Sequence, residues 1–235
     1  MDKELVANCL KSASGDTTYL HWLLQGWGAA VALALLALVV AMAFGILMGI
    51  LRTTPHKGLV LLGDTWTELF RNVPLIVQLF LWYFVVPALV PPLKQLPGFV
   101  LAFIGLGLFT SARISEQVRA GIQSLPRGQR MAGLALGFTL PQTYRHVLLP
   151  MAFRIVIPPL TSESMNIVKN SSVAFAVSIS ELTLFALQAQ EETSRGVEIY
   201  LAVTGLYFIT AFTINRVLHY VEQRVRLPGM LGGGK

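Results

Sequence analysis

The chain has 235 residues, of which 54% are hydrophobic and only 13% are charged. Soluble domains carry about 25% charged residues, so this composition excludes an ordinary soluble globular protein. The net charge of +6 would suit a nucleic-acid-binding protein, but the positions of the charges, described below, argue against that function. Because Cys9 is the single cysteine, the sequence excludes an intramolecular disulfide framework and a thiolate metal cluster.

Five apolar stretches predict an all-α integral membrane protein with five transmembrane helices. The first has 23 consecutive uncharged residues, which suffice to cross about 30 Å of hydrocarbon at about 1.5 Å per residue. Within it, Gly45 and Gly49 are spaced to allow a close helix contact. The second is expected to begin a turn or more before its charge-free core. The stretches are residues 29–51, 72–93, 95–112, 155–180 and 199–215.

Prolines and charges distinguish two of these stretches. Pro87, Pro91 and Pro92 are expected to end the second one, because proline cannot continue a helix without losing a hydrogen bond. The fourth contains the pair Pro158–Pro159, which predicts a bend or break near its cytoplasmic end. Ionisable residues inside a span usually face a bundle interior or a water-filled path. The fourth stretch, which also carries such residues, is therefore either not a span or a functional one.

The lysine and arginine positions predict the orientation, because short cytoplasmic loops collect these residues. With an external N-terminus, 12 of the 18 lie on the cytoplasmic side, 4 lie outside and 2 lie in or near spans. This sorting explains the positive charge better than a nucleic-acid-binding surface does. It divides the chain into an external segment (residues 1–25), a transmembrane domain (residues 26–222) and a cytoplasmic tail (residues 223–235).

Residues 113–154 form a predicted cytoplasmic loop that is longer than a simple connection requires. After Pro126, residues 129–137 are expected to form a short helix, and Leu140–Pro141 to turn the chain before a further helix. A short helix that combines apolar residues with arginines would suit docking into a groove of a cytoplasmic protein. The alternative is an amphipathic helix on the membrane surface.

The same loop resembles the EAA loop of ABC importer permeases, whose pattern is E-A-A-x3-G-x9-I-x-L-P. In this chain, Met131 stands in place of the glutamate, Gly133 in place of the second alanine and Val147 in place of the isoleucine. The other positions of the pattern hold matching residues, namely Ala132, Gly137, Leu149 and Pro150.

Four further strings resemble the polar-amino-acid permeases of histidine, arginine and glutamate importers. Within that family, the nearest resemblance is to a permease subunit of bacterial glutamate/aspartate importers. The strings are ELFRNVPLIVQ (68–78), EQVRAGIQSLPRGQ (116–129), TSESMNIVKN (161–170) and VEQRVRLPG (221–229).

The resemblance implies a type I ABC importer-like fold in the bacterial inner membrane, with a cytoplasmic coupling helix. It also implies three kinds of partner: a second homologous permease, two cytoplasmic ATPase subunits and an external amino-acid-binding protein. The chain itself is then not an enzyme and holds no cofactor or metal, because ATP and magnesium would bind to the partner ATPase. The implied ATPase contacts are Arg127, Arg130, Met131, Ala132, Gly133, Gly137, Leu149 and Pro150.

A polar stripe on the fourth stretch is a candidate substrate path. At about 100° per residue, its five residues fall within an arc of about 120°. We hypothesise that Lys169 meets a substrate carboxylate, that Glu163 meets the ammonium group and that the asparagines donate amide hydrogens. The alternative is that Glu163 and Lys169 only hold neighbouring helices together. The stripe consists of Ser162, Glu163, Asn166, Lys169 and Asn170.

Two other functions remain open, and one motif is discounted. An ion-gradient-driven secondary transporter would need the gradient rather than ATP, and a structural membrane subunit would show no transport defect when altered. The C-terminal string GMLGGGK (229–235) fits G-x4-G-K. A phosphate-binding loop also needs a preceding strand, a following helix and a Ser or Thr, so this match is accidental.

Overall fold

A computed structural model of the protein describes residues 18–225, with the side chains of residues 221 and 225 excepted. Most of the expected external segment, nearly all of the expected tail and the whole GMLGGGK string lie outside this range. In chain order the helices are α1 (Tyr19–Leu51), α2 (Lys57–Asn72), α3 (Leu75–Phe80, Leu81–Val85 and Val86–Leu89), α4 (Gly98–Gln123), α5 (Arg127–Ala135), α6 (Leu140–Thr143, Tyr144–Leu148 and Leu149–Ser171), α7 (Leu182–Thr193) and α8 (Gly196–Val225). The middle parts of α3 and α6 are π-helical, and 3₁₀ helices cover Pro91–Gln95 and Ser172–Val177.

Within the described range, three helices are long and apolar enough to cross a membrane, or up to five if each of two broken helix pairs forms one span. The three are α1, α4 and most of α8, which correspond to the first, third and fifth predicted stretches. All three extend beyond the predicted limits. Helix α1 begins at Tyr19, because its first turns are as free of charge as its centre and carry Trp22 and Trp27.

The second predicted stretch corresponds to α3, which ends at Leu89 before Pro91 and Pro92, as expected, whereas Pro87 lies within its last segment and does not end it. A break separates α3 from α2, which ends at Asn72, so any earlier part of this span belongs to a separate helix. Pro74 forces this break, since a residue before proline is pushed out of the helical region. Val73 accordingly has φ −100° and ψ 130°.

The structure also gives more detail on the predicted loop, and it contradicts the predicted break in the fourth stretch. Helix α4 continues to Gln123, so the first part of the predicted loop is helical, with Ile114, Val118 and Ile122 buried along one face. Helix α6 begins at Leu140 and is not broken at Pro158 and Pro159. The fixed φ of proline is a helical value, so the pair removes two hydrogen bonds and the helix still continues to Ser171.

The chain divides into two compact units, which are described separately. Unit 1 contains the described residues before 38, Pro74–Leu106 and Ile167–Phe212. Its apolar core joins α1, α7 and α8 through buried side chains, and Trp22 packs edge-on against Phe185 at 5.1 Å between ring centroids. Trp27 adds a hydrogen bond from its indole nitrogen to the Thr210 hydroxyl, 2.8 Å away.

A buried carboxylate also stabilises unit 1. Glu181 accepts hydrogen bonds at the start of α7 from the backbone N–H groups of Thr183 (2.9 Å) and Leu184 (3.0 Å). The Tyr207 hydroxyl donates a third, at 2.7 Å. This arrangement caps the helix, because the first N–H groups of a helix lack partners within it.

Unit 2 contains Leu38–Val73, Gly107–Asn166 and the described residues from 213. The predicted close approach of Gly45 and Gly49 to another helix is confirmed, and the partner is α4. A Cβ added at Gly45 would lie 2.6 Å from Ile114, and one at Gly49 would lie 2.6 Å from Val118. Only glycine allows the two backbones to come this close.

Candidate functional site

The short helix α5 lies two residues earlier than predicted and has defined ends. Pro126 precedes it with φ −56° and ψ 133°. At its C-terminal end, Phe138 N–H donates to the Gly133 carbonyl (3.2 Å) and Gly137 N–H donates to the Leu134 carbonyl (3.0 Å). This pair of bonds is a Schellman motif, which needs a left-handed residue after the helix. Gly137 fills that position with φ +85°.

Gly133 fixes α5 against the beginning of α6. It is the buried glycine of α5, and a Cβ added there would lie 2.8 Å from Thr143 Cγ2. The next residue, Tyr144, donates its hydroxyl hydrogen to the Thr53 carbonyl at 2.7 Å. Contacts of unit 2 therefore lead from α5 through the start of α6 to the residues that follow α1.

One face of α5 and the turn after it expose apolar side chains. Met131 is 67% exposed and Leu136 is 75% exposed, and Leu134 and Phe138 are also exposed. An apolar helix face without a partner in its own chain is the kind of surface that inserts into a groove of another protein. Met131 occupies the position of the motif glutamate, so the exposed group at this point is a thioether instead of a carboxylate.

Leu149 and Pro150, the last residues of the loop motif, do not end a helix. Both lie within α6, directly after its π-helical segment. Pro150 has no N–H to donate to the previous turn, and a π-helical turn is one way in which a helix accommodates such a loss. Leu149 N–H accordingly donates to the Tyr144 carbonyl, five residues back.

A group of ion pairs, which sequence reasoning missed, connects α2 and α4 with the end of α1. Arg52 is buried, and its Nε lies 2.7 Å from Asp64 Oδ1. Arg119 shares the same carboxylate oxygen at 3.2 Å. Arg52 also donates to the Ser115 hydroxyl at 3.3 Å, and Ser115 in turn contacts the Thr67 hydroxyl at 3.0 Å.

A second ion-pair group brings two of the family-like strings together. Arg71, from ELFRNVPLIVQ, pairs with Glu68 of its own helix (2.7 Å) and with Glu116, from EQVRAGIQSLPRGQ. Asn72 donates to the other Glu68 oxygen at 2.7 Å. The presence of opposite charges in both strings was a signal that could have suggested this contact.

Glu163 of the polar stripe has partners within unit 2. It is buried, and its Oε2 lies 2.9 Å from Arg113 Nε, while Gln117 donates to Oε1 at 3.3 Å. Both partners belong to α4. This geometry agrees with the alternative that Glu163 holds neighbouring helices together, and it places a half-exposed arginine beside the stripe. Sequence reasoning had assigned Arg113 to the cytoplasmic surface.

The other stripe residues differ in exposure along α6. In unit 2, Ser162 is exposed and Asn166 is half-buried. In unit 1, Lys169 is exposed and Asn170 is half-buried. Within residues 18–225, no acidic side chain pairs with the Lys169 ammonium group. Of the charged stripe residues, Lys169 is thus the one available to a ligand.

Comparisons with known proteins agree with this architecture. Residues 41–227 match the family model described as "Binding-protein-dependent transport system inner membrane component". The chain is 45% identical over 229 residues to the glutamate/aspartate import permease protein GltJ of Escherichia coli (strain K12), with 93% of each chain covered. It is 36% identical over 195 residues to the probable glutamine ABC transporter permease protein GlnM of Bacillus subtilis (strain 168), covering 81% of this chain and 89% of that protein.

A solved structure shows the same fold. The crystal structure of an amino acid ABC transporter with histidines contains a chain that superposes with a TM-score of 0.77. The two chains are 26% identical, and the alignment covers 95% of this chain and 99% of the other.

Proposed function

Because the chain belongs to the family of inner-membrane components of binding-protein-dependent transport systems, we propose that it is the permease subunit of an ATP-driven importer of glutamate or aspartate. It is a multi-pass amino-acid ABC transporter permease and not itself an enzyme. The observation that carries the substrate is the 45% identity to GltJ over nearly the whole of both chains. GlnM, whose name specifies glutamine, is less similar at 36%.

In this proposal the chain works with a second homologous permease, two cytoplasmic ATPase subunits and an external binding protein. ATP and magnesium bind to the ATPase. The N-terminus is external and the C-terminus is cytoplasmic, as the distribution of lysine and arginine predicts. ATP-driven closure of the ATPases turns the permease helices as rigid bodies and so alternates access to the substrate path.

The proposed ATPase contact is α5 with the turn that follows it. Support comes from the exposed apolar side chains of Met131 and Leu136, and from the two ends of the helix, which Pro126 and Gly137 define. A helix held at both ends and packed on Thr143 can move only together with α6. The proposed contact residues remain Arg127, Arg130, Met131, Ala132, Gly133, Gly137, Leu149 and Pro150.

The proposed substrate path follows the polar face of α6. Lys169 supplies a cation for a substrate carboxylate, and Asn166, Asn170 and Ser162 supply hydrogen-bonding groups. The role proposed for Glu163 changes with its contacts: a carboxylate already paired with Arg113 positions that arginine. It meets a substrate ammonium group only if the pair opens. An acidic amino acid carries two carboxylates, so cations along the path suit this substrate class.

The experiment that tests the function uses the chain purified with its native neighbours in sealed vesicles. Glutamate or aspartate with the binding protein should stimulate ATP hydrolysis, and uptake should persist with an ionophore and stop without ATP. Uptake that needs only an ion gradient would establish a secondary transporter instead. Stimulation by glutamine but not by glutamate or aspartate would overturn the substrate assignment.

Two sets of variants separate coupling from the substrate path. Arg130→Glu should reduce the amount of ATPase that co-purifies, or uncouple it, without preventing membrane insertion. Lys169→Ala should raise the substrate concentration needed for half-maximal uptake at an unchanged yield of assembled complex. A lower yield with normal kinetics would show that Lys169 only supports assembly. The same comparison applied to Glu163→Gln tests its positioning role.

A further inference from the structure

A cleft of about 500 Å³ opens beside the first turn of α5, within unit 2. The residues after α1, the last turn of α4 and the start of α6 complete it. Its polar lining consists of guanidinium, amide and hydroxyl groups, and its apolar wall includes Ile122, Leu125 and Leu148. No carboxylate is among the lining residues. Those that carry the argument are Arg52, Thr53, Gln123, Arg127, Arg130 and Tyr144.

The cleft has an excess of positive charge. Arg127 and Arg130 are three residues apart on α5 and therefore point to the same side. Within residues 18–225, neither forms an ion pair. Arg52 is paired with Asp64, but that carboxylate also neutralises part of the charge of Arg119, so one acid serves two arginines. An anion entering the cleft would meet uncompensated guanidinium groups.

The backbone of α5 adds to this field. The helix has nine residues, and its N-terminal end lies at the cleft. The N–H groups of the first turn have no partner within the helix, and the helix dipole makes this end positive. Guanidinium groups beside the positive end of a helix form a strong binding environment for phosphate, because arginine can donate two parallel hydrogen bonds to its oxygens.

The position of the cleft indicates the source of the phosphate. Helices α1 and α4 are long enough to cross a membrane, and both reach the cleft with their C-terminal ends. In the proposed orientation these ends lie at the cytoplasmic leaflet, where anionic headgroups concentrate. Basic pockets between transmembrane helices on this side suit such headgroups. The apolar wall would contact the glycerol and the first acyl carbons.

We propose that this cleft binds a phosphate group, supplied by an anionic phospholipid of the cytoplasmic leaflet. The alternative source of the same chemistry is free phosphate. The identity of the leaflet rests on the proposed function, whereas the charge of the cleft does not. Binding is measured without ATP, binding protein or amino acid, so its outcome is separate from that of the transport test.

The experiment places the purified assembly in nanodiscs of phosphatidylcholine with a graded fraction of phosphatidylglycerol. Native mass spectrometry then counts the lipids that stay bound. Wild-type protein should retain phosphatidylglycerol in preference to phosphatidylcholine. The double variant Arg127→Gln/Arg130→Gln should lose this preference by about 25-fold, since each arginine contributes about fivefold. The control Arg145→Gln changes an exposed arginine outside the cleft lining and should retain it.

Further measurements identify the source of the phosphate and show whether the double variant has lost lipid binding only because it is misfolded. Arg127→Lys/Arg130→Lys keeps the charge and should retain most of the preference. Retention that persists in excess inorganic phosphate supports the lipid headgroup, and displacement by it supports free phosphate at the same site. The proposal is overturned if the wild type retains both lipids equally, or if Arg145→Gln loses the preference as much as the double variant. It is also overturned if the double variant keeps the lipid preference of the wild type and loses only the ATPase, since the cleft would then be a protein contact.

Discussion

Unit 2 and unit 1 are stabilised by different chemistry. The described residues of unit 2 carry eleven lysines and arginines and five acids, whereas those of unit 1 carry three and four. In unit 2, Arg52, Arg71 and Arg113 each pair with a carboxylate of another helix. In unit 1, the buried carboxylate of Glu181 is held by neutral donors instead.

This difference follows the proposed division of labour. In the proposed orientation, the unit that carries α5 presents positive charge at the cytoplasmic side, and arginines gathered there need acids to hold the helices that bear them. Unit 1 has no such requirement and relies on aromatic packing and a capped helix.

Both units contain a π-helical turn. In each case a proline lies two residues after the turn, Pro87 in unit 1 and Pro150 in unit 2.

The comparison is tested most strongly at the Arg52–Asp64 pair. Asp64→Asn leaves the buried Arg52 guanidinium without its charge partner and should destabilise the assembly by about 3 kcal/mol. The loss of stability is measured by heating samples of the purified complex and quantifying the intact fraction by size-exclusion chromatography. The exposed pair of Glu68 and Arg71 is the control: Glu68→Gln should lower the stability far less than Asp64→Asn, because surface ion pairs contribute little.

A double variant shows whether the stability lost in Asp64→Asn comes from the uncompensated charge of Arg52. Arg52→Met/Asp64→Asn removes both charges and should recover more than half of the stability lost in Asp64→Asn, because no uncompensated charge stays buried. If the two variants were equally unstable, the network would not be the feature that distinguishes unit 2 from unit 1.

Glycine substitutions along α1 should have opposite signs in the two units. In unit 2, a Cβ at Gly49 would lie 2.6 Å from Val118 and 2.8 Å from the Ser115 carbonyl, so Gly49→Ala should cost about 2 kcal/mol. In unit 1, nothing lies within 4 Å of a Cβ at Gly28, and Gly28→Ala should stabilise the helix by about 0.5 kcal/mol. Melting temperatures of the two variants test this. A loss of stability in both would show that the close packing is not particular to unit 2.

The sequence was sufficient for the features that depend on local patterns. Apolar stretches without charge predicted the helices that can span a membrane, and Pro126 with Gly137 predicted the short helix α5. The spacing of Gly45 and Gly49 predicted a close helix contact. Two glycines on one helix face indicate such a contact whichever helix is the partner. The family-like strings predicted the fold that the solved transporter shares.

The features that depend on distant residues were not predictable in the same way. Arg52, Asp64 and Arg119 are far apart in the sequence. The number of charges on each side of the membrane predicts the side on which a residue lies, but not the residue with which it forms an ion pair. The break at Val73 was missed because the charge-free stretch appeared continuous, although Pro74 was visible. The continuity of α6 through Pro158 and Pro159 was missed because proline was treated as a helix terminator, whereas its fixed φ is compatible with a helix.

The capped helix of unit 1 provides the next test. Glu181→Gln replaces a carboxylate that accepts from two backbone N–H groups and from Tyr207 with a group that has only one acceptor oxygen. We expect a loss of about 1.5 kcal/mol, mainly from the helix cap. Glu191→Gln is a suitable control, since that residue is exposed on the same helix. An equal effect of both variants on the melting temperature would contradict the capping role.

Gly137, which follows α5, has a left-handed backbone conformation and carries no charge. Its variants test whether this backbone conformation is needed at the end of α5. Gly137→Ala forces a side chain into the left-handed region and should cost about 1 kcal/mol, while Gly137→Asn should cost less because asparagine tolerates that region. Co-purification of the ATPase should fall more for alanine than for asparagine. Equal recovery of ATPase for both would show that the end of α5 does not depend on this turn.

A small loss of stability is expected at Tyr144, which connects the start of α6 to the residues after α1. Tyr144→Phe removes the hydrogen bond to the Thr53 carbonyl and leaves the ring in place, so stability should fall by only about 0.5–1 kcal/mol. Since this bond lies between α5 and the ion-pair network of unit 2, we expect fewer amino acids transported per ATP hydrolysed. Uptake and hydrolysis measured in the same proteoliposomes give that ratio. The matched variant Tyr207→Phe removes a hydroxyl that donates a hydrogen bond in unit 1 and should leave the ratio unchanged. A fall in the ratio for both would mean that coupling depends on the stability of the whole permease, whereas a fall for Tyr144→Phe alone would assign it to unit 2.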